Sequence, residues 1–453
     1  MIRRRTKPVP RNSERGITMI LVALALLSML AIVALAIDVI TLYSARSETQ
    51  RAADSAALAA AKMLVDSGVT GDPANGALQT AAQTIATKAA KDVAMQSSIA
   101  GRPVQSADVT VTFPNTGAPS FGINPMVSVS VLNSNLPTFF SRIWSRATLT
   151  VRASATAEGF NPSNSSSISG GAGIPVVARC VKPFLLPNCD PGHAVPAGPG
   201  CGGTVATFFD PATGAITNPG QAPTGIIGEQ LDLSSNCGLV APCTLGPPQA
   251  GPASALLYYP AALPATTNAC PSSCGGGTSF EENIECCNPS QISCGTTPTP
   301  PVVNQLAVDT TVFPEGGGGP AQTGVECLIH QRPGNGQDIL NDNTFPGLSY
   351  PLKIEVGNNH PLAGSANVAA NDLVTSSDSL VTVPVYDGVG GVPVGNVNVI
   401  GFLQLFITQA FPGGGGKKPG EFHAVVVNVS GCGSSATGTP VAGNAVPVRL
   451  VHQ

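Results

Sequence analysis

The sequence predicts an α+β protein: an N-terminal transmembrane helix that continues into an α+β module, followed by a disulfide-rich, mainly β C-terminal region. Three observations predict it. Ile17 to Ile37 is a run of 21 residues without a charge. The next stretch, "YSARSETQRAADSAALAAAKML" (43–64), is polar and alanine-rich and holds no Gly or Pro. All 12 cysteines lie at or after Cys180, in the part of the chain where many of its 51 Gly and 41 Pro are found.

Residues 1–16 form a basic tail, with Arg3, Arg4, Arg5, Lys7, Arg11 and Arg15 against one acid, Glu14. At 1.5 Å per residue the apolar run spans about 30 Å, one bilayer core. A basic flank before a single span predicts a cytoplasmic N-terminus, with everything beyond about residue 40 outside the cytoplasm. Residues 17–40 are therefore the transmembrane helix, and residues 17–37 its contact with lipid. The alternative is a signal sequence, since Ala34-Leu35-Ala36 has the A-x-A form of a cleavage site.

Helix-favouring sequence runs on from Ile17 to Leu64 and breaks at Asp66-Ser67-Gly68. Alanine raises helix propensity wherever it stands. At helical spacing it also allows close approach of a neighbouring element. Ala52, Ala53, Ala56 and Ala57 share one face, so packing is the expectation. Leu78, Ala82, Ile85, Ala89 and Val93 recur at helical spacing, "ADVTVTF" reads as a strand, and Val127, Val129 and Val131 alternate with serines as strand residues do. Leu136 to Trp144 reads as a short amphipathic helix, and Leu149, Val151, Ala153 and Ala155 as a further strand. These elements fill a module of residues 41–158. A Ser/Gly linker (159–174), a Cys/Gly/Pro-rich region (175–301) and a β-rich domain (302–453) follow. Strands are predicted at 379–388, 398–407, 422–431 and 445–451, as an antiparallel sheet or sandwich.

The stretch "ERGITMILVALALLSMLAIVALAIDVITLYSARSETQRAADSAALAAA" resembles the N-terminal segment of TadG-like (TadE/TadG family) proteins of the tight-adherence (Tad/Flp) pilus assembly system. The residues that carry the resemblance are Gly16, Asp38, Tyr43, Gln50, Ala52, Ala53, Asp54, Ala56, Ala57 and Leu58. "VSVSVLNSNLPTFFSRIWSRATLTVRASATAE" (127–158) is similar to the end of the TadE/TadG-type module. The resemblance implies that residues 41–158 are pilin-like, that the partners are other Tad pilus assembly or pilin-like proteins, and that the chain sits in a bacterial inner membrane. "RGITMIL" also looks like a prepilin processing junction after Gly16, but Leu21 stands where a processed prepilin has Glu.

The cysteines Cys180, Cys189, Cys201, Cys237, Cys243, Cys270, Cys274, Cys286, Cys287, Cys294, Cys327 and Cys432 are even in number and follow a membrane segment. That pattern predicts disulfides in an oxidising compartment, and their spacing lacks the paired CxxC of a zinc site. Catalytic patterns fail in turn. "FPGGGGKKPG" has Phe411 and Lys418 where a phosphate loop needs Gly and Ser or Thr. "GLSYP" lacks the second Gly of a nucleophile elbow, and His193, His330, His360, His423 and His452 are scattered. A net charge of −4 gives no reason to expect nucleic acid. The sequence therefore assigns no catalytic, cofactor-binding or metal residue, and no cofactor. The function expected is a non-catalytic, membrane-anchored component of pilus assembly. The rival expectations are an adhesin or ligand-binding β domain on a membrane anchor, and an anchored or secreted hydrolase.

Overall fold

The computed structural model describes residues 14–453 except 118–119, 138–147, 165–173, 196–200, 202, 204, 238–242, 251–253, 264–276, 296–301, 315–318, 333, 335, 342–347, 359, 362, 364–367, 370, 389–390, 414–416, 434–440 and 452–453. Helix α1 (Glu14–Asp66) is a single element of 53 residues, roughly 80 Å long at 1.5 Å per residue. No Gly or Pro interrupts it after Gly16. It stops where Gly68 adopts φ +84°, the left-handed conformation that glycine tolerates best. Helix α2 (Gly76–Met95) starts from Asn75, whose Oδ1 accepts from Leu78 N at 3.0 Å. It buries Leu78, Ala82, Ala86 and Ala89, while Ile85 and Val93 are half-buried.

The chain divides into two compact units, and α1 passes from one into the other. The first holds α1 up to Ala53 with Ala94–Thr110 and Ser130–Ser154. In it, Glu48 Oε2 accepts from Ala100 N at 2.7 Å, beside a small hairpin pairing Ser98–Ile99 with Arg102–Pro103. Gln50 Nε2 donates to Ser154 O at 3.3 Å. The second unit holds Asp54–Val93, Val111–Val129 and Ala155–Gln453.

Strands β1 (Val109–Thr112), β2 (Met126–Pro137) and β3 (Thr148–Gly159) occupy the positions the sequence pattern predicts. Leu136 differs: it belongs to β2 and not to the start of a helix, and residues 138–144 of that expected helix lie outside the described residues. The remaining strands are β4 (Phe184–Pro187), β5 (Asp190–Ala194), β6 (Gln230–Ser235), β7 (Ala255–Ala262), β8 (Gln305–Val308), β9 (Leu380–Tyr386), β10 (Asn396–Ala410), β11 (Phe422–Gly431) and β12 (Val448–Val451), with short pairs elsewhere.

Seven of these strands form one sheet in the order β6-β11-β10-β8-β7-β4-β9. Strands from before and after residue 302 share it. The added pairings β6–β7 and β9–β10 close the order on itself. The expected antiparallel arrangement holds along β9–β10–β11, but β6 pairs parallel with β7 and β9 parallel with β4. A parallel pair needs a long connection, which no local hairpin signal reveals. A second correction concerns the last strand. β12 leaves this sheet and pairs antiparallel with β3, with Val448 opposite Gly159 and Val451 opposite Thr156.

The large sheet is apolar on both faces. Along β7, Leu256 and Tyr258 enter one hydrophobic cluster, and Tyr259 and Ala261 the other. Phe184 and Leu186 of β4 face the first cluster, and Leu185 the second. That alternation is the period of two of an extended strand. It explains why "NVIGFLQLFI" reads as continuous apolar sequence instead of alternating. Gly401 has no room for a side chain, because a Cβ there would run into the Phe209 ring. Helices α3 (Ser279–Glu285) and α4 (Pro320–Leu328) meet where Gly324 lies against Ile284.

The expected disulfides are present. Cys180–Cys287, Cys189–Cys201, Cys237–Cys243 and Cys294–Cys432 are bonded, and Cys286 and Cys327 are also in disulfides. No described cysteine is free. Cys270 and Cys274 lie outside the described residues.

Candidate functional site: the N-terminal helix

The first two-thirds of α1 exposes its apolar side chains. Ile17, Leu30 and Ile40 are 62%, 60% and 68% exposed. A surface of that size in water would be strongly unfavourable, so it marks a membrane or partner contact. Gly16–Asp66 is the one described helix long and apolar enough to cross a membrane.

A narrow stripe on the same helix is nevertheless buried: Ala34, Asp38, Ala45, Thr49, Ala52 and Ala53. They recur at three, four or seven residues, the spacing of one helix face. Thr49 Oγ1 satisfies itself by donating to Ala45 O at 2.7 Å. The stripe continues through Ala56, Ala57, Ala60 and Ala61, and by Met63 to Val65 the helix is buried all round. Gly159 at the end of β3 sits against the Val65 side chain, where a Cβ would collide with it.

The motif residues thus fall into two sets. Ala52, Ala53, Ala56 and Ala57 lie together on the buried face, and Asp38 is buried on the same stripe. Tyr43 is 70% exposed, Asp54 and Leu58 are half-buried, and Gly16 has open space around it. Gln50 reaches the backbone of Ser154. The buried positions Ala34, Ala45 and Thr49 were missed in the sequence; the signal for them was small residues at helical spacing that continue the face of Ala52 and Ala53 back towards the apolar run.

Beyond the helix end the contacts become polar and buried. Ser67 O accepts from Leu352 N at 3.2 Å, and Gly71 O from Gly220 N at 3.0 Å. Thr70 Oγ1 donates to Asn428 Oδ1 of β11 at 3.0 Å, and Asn428 Nδ2 donates to Gln404 Oε1 of β10 at 2.8 Å. The turn after α1 is therefore hydrogen-bonded to β11, and Asn428 carries the chain of bonds on to β10. Asn161 and Ser163, at the start of the expected linker, are buried too; Asn161 Nδ2 donates to Val429 O at 3.0 Å.

Residues 16–63 match the model of the Tad family, Flp pilus-assembly TadE/G-like. The likeness is to this segment, 48 of the chain's 453 residues. No curated protein and no solved structure matches the chain. The TadE/G-like segment contains all ten motif residues, from Gly16 to Leu58, and ends just before the helix does. Residues 64–453 lie outside it.

The other sites weighed in the sequence gain local partners. His330 Nε2 meets Asp378 at 3.0 Å, and that contact raises the imidazole pKa and lowers the carboxyl. His360 Nε2 lies 3.7 Å from Asp338, and His423 Nδ1 3.0 Å from Thr408 Oγ1. His193 meets Asp190 at 2.8 Å. His452 and residues 414–416 of the glycine loop lie outside the described residues.

Ala56→Leu is expected to destabilise the protein by about 1–3 kcal/mol, the usual cost of overpacking. Leucine is itself a good helix former, so propensity contributes little. Arg51→Ala, at an exposed position on the same helix, is expected to stay within about 0.5 kcal/mol. Denaturant unfolding of the detergent-solubilised chain measures both. Equal midpoints would mean that the alanines only support the helix.

Proposed function

We propose that the chain is a non-catalytic, membrane-anchored component of Flp-type pilus assembly that acts through protein contacts in the cell envelope. The observation that carries this reading is the coincidence of the TadE/G-like segment with a helix whose apolar side chains are exposed. Residues 17–37 anchor it in the inner membrane, with the basic residues on the cytoplasmic side and the bulk of the chain periplasmic or extracellular. The disulfides support that orientation, because such bonds persist in oxidising compartments.

In this reading residues 41–158 are the pilin-like module. Its order of a long helix, a second helix and strands β1–β3 supports the comparison. The hydrogen bond from Thr70 to Asn428 suits a structural role, since it ties the turn after α1 to β11. The partners are other Tad pilus-assembly or pilin-like proteins.

Two measurements on the intact chain test this. A reporter active only in the periplasm, fused after Gln453, should be active. Flp pilus-assembly proteins should co-purify with the chain from crosslinked native membranes. An inactive reporter with an active cytoplasmic counterpart would overturn the orientation. Purification without any pilus-assembly protein would overturn the assembly role.

A further inference from the structure

Three side chains far apart in sequence meet in the β-rich unit. Asp190 and His193 lie on β5, and Glu229 immediately precedes β6. One donor atom from each lies within 4.8 Å of those of the other two. Asp190 is fully buried and Glu229 is 7% exposed.

Part of the hydrogen-bonding capacity here is used within the protein. Asp190 Oδ2 contacts His193 Nδ1 at 2.8 Å and accepts from Asn218 Nδ2 at 3.1 Å. Gly192 N donates to Asp190 Oδ1 at 3.1 Å and to Glu229 Oε1 at 2.7 Å. Two buried atoms remain without a hydrogen-bond partner, Glu229 Oε2 and His193 Nε2. Both residues line a cavity of about 540 Å³, together with Gln230, Ser254 and Tyr350. Buried polar atoms are rarely left unmatched, and those that are need a water or an ion to account for them. Among the described residues no Lys or Arg makes an ion pair with either carboxylate, and the base that meets them is the His193 imidazole, on Asp190.

We propose that Asp190, His193 and Glu229 bind one divalent transition-metal ion, of the zinc class, with its remaining coordination directed into the cavity. The ion cancels the charge of the two carboxylates. His193 donates through Nδ1, the ring nitrogen 2.8 Å from Asp190 Oδ2, because an ion held at Nε2 would stand across the ring from that carboxylate. An imidazole with two carboxylates suits zinc or a neighbouring transition metal. Calcium is disfavoured, since it needs six to eight oxygens. The ion joins β5 to the segment before β6, whose backbone is held by Val426 N donating to Glu229 O at 2.9 Å. Gly192 is part of the arrangement, because a Cβ there would run into the Glu229 carboxylate.

The test uses the full chain in detergent with its disulfides intact, stripped of metal by a chelator. Zn²⁺ is titrated calorimetrically and Co²⁺ by its visible absorption. The expected result is one equivalent bound, a higher melting temperature with Zn²⁺, and at least about tenfold weaker binding in Glu229→Gln. His193→Gln is the second variant. Metal-free melting of each variant, compared with metal-free wild type, separates a lost ligand from a damaged fold. Stoichiometric Zn²⁺ binding that survives in both folded variants would overturn the proposal. So would wild-type protein that neither binds Zn²⁺ nor colours with Co²⁺, or that takes up Ca²⁺ as tightly as Zn²⁺.

Discussion

Replacing Cys294 and Cys432 together by alanine is expected to destabilise the β-rich unit by roughly 5 kcal/mol, and losing Cys237–Cys243 by only about 2. The difference comes from the unfolded chain. The first bond closes a loop of sequence separation 138, the second one of 6, and a longer loop restricts the unfolded ensemble more. Cys294 and Cys432 are both fully buried, and Cys432 N donates to Ile400 O at 3.0 Å. Alanine fits such sites without introducing a polar atom. Denaturant unfolding of oxidised protein measures both changes. Equal losses would rule out loop closure as the source of the stabilisation. The same bond bears on localisation: a chain that depends on it should accumulate poorly if it is held in a reducing compartment.

What could be read from sequence was what depends on local order. α1 is legible because fifty residues without Gly or Pro, 21 of them Ile, Leu, Val or Met, admit few other conformations. β9, β10 and β11 are legible because apolar runs bounded by Gly-rich turns pair with their neighbours in sequence. β6 shows the limit. "QLDLSS" is weakly patterned, and it becomes a strand through a parallel partner at Ala255–Tyr258 and an antiparallel one at Phe422–Val425. β12 was legible as a strand but not as the partner of β3, which lies almost three hundred residues away. Its sequence has no hairpin partner nearby that would fix its register. The motif alanines were legible as one helix face. The meeting of Asp190 and His193 with Glu229 was not, since it is produced by tertiary folding and not by spacing.

Phe184→Ala is expected to cost about 3–5 kcal/mol, the range for deleting a buried aromatic ring. Phe184 is fully buried where three strands and a helix meet. Its ring centroid lies 4.9 Å from Tyr258 of β7, 4.8 Å from Phe422 of β11 and 6.2 Å from Phe280 of α3. β4 is only four residues long, so it has few ladder hydrogen bonds and depends on what its side chains bury. Neither β7 nor β11 can collapse into the space, because each is paired on both sides within the sheet. Phe184→Leu, which keeps most of the volume, should lose much less. Thermal and denaturant unfolding of the two variants checks this, and equal stability would show that the aromatic cluster does not centre on Phe184. The two largest effects should also combine. Phe184 packs in the cluster on one face of the sheet, and Cys294 and Cys432 lie in the cluster on the other. Sites without shared partners add to within about 0.5 kcal/mol. The variant carrying all three substitutions should therefore lose about 8–10 kcal/mol, most or all of an ordinary domain's margin of about 5–15. It should insert through α1, whose exposed apolar residues are untouched, and then be degraded. A membrane-bound variant that accumulates to the wild-type level and resists protease would show that the two faces are not independent sources of stability.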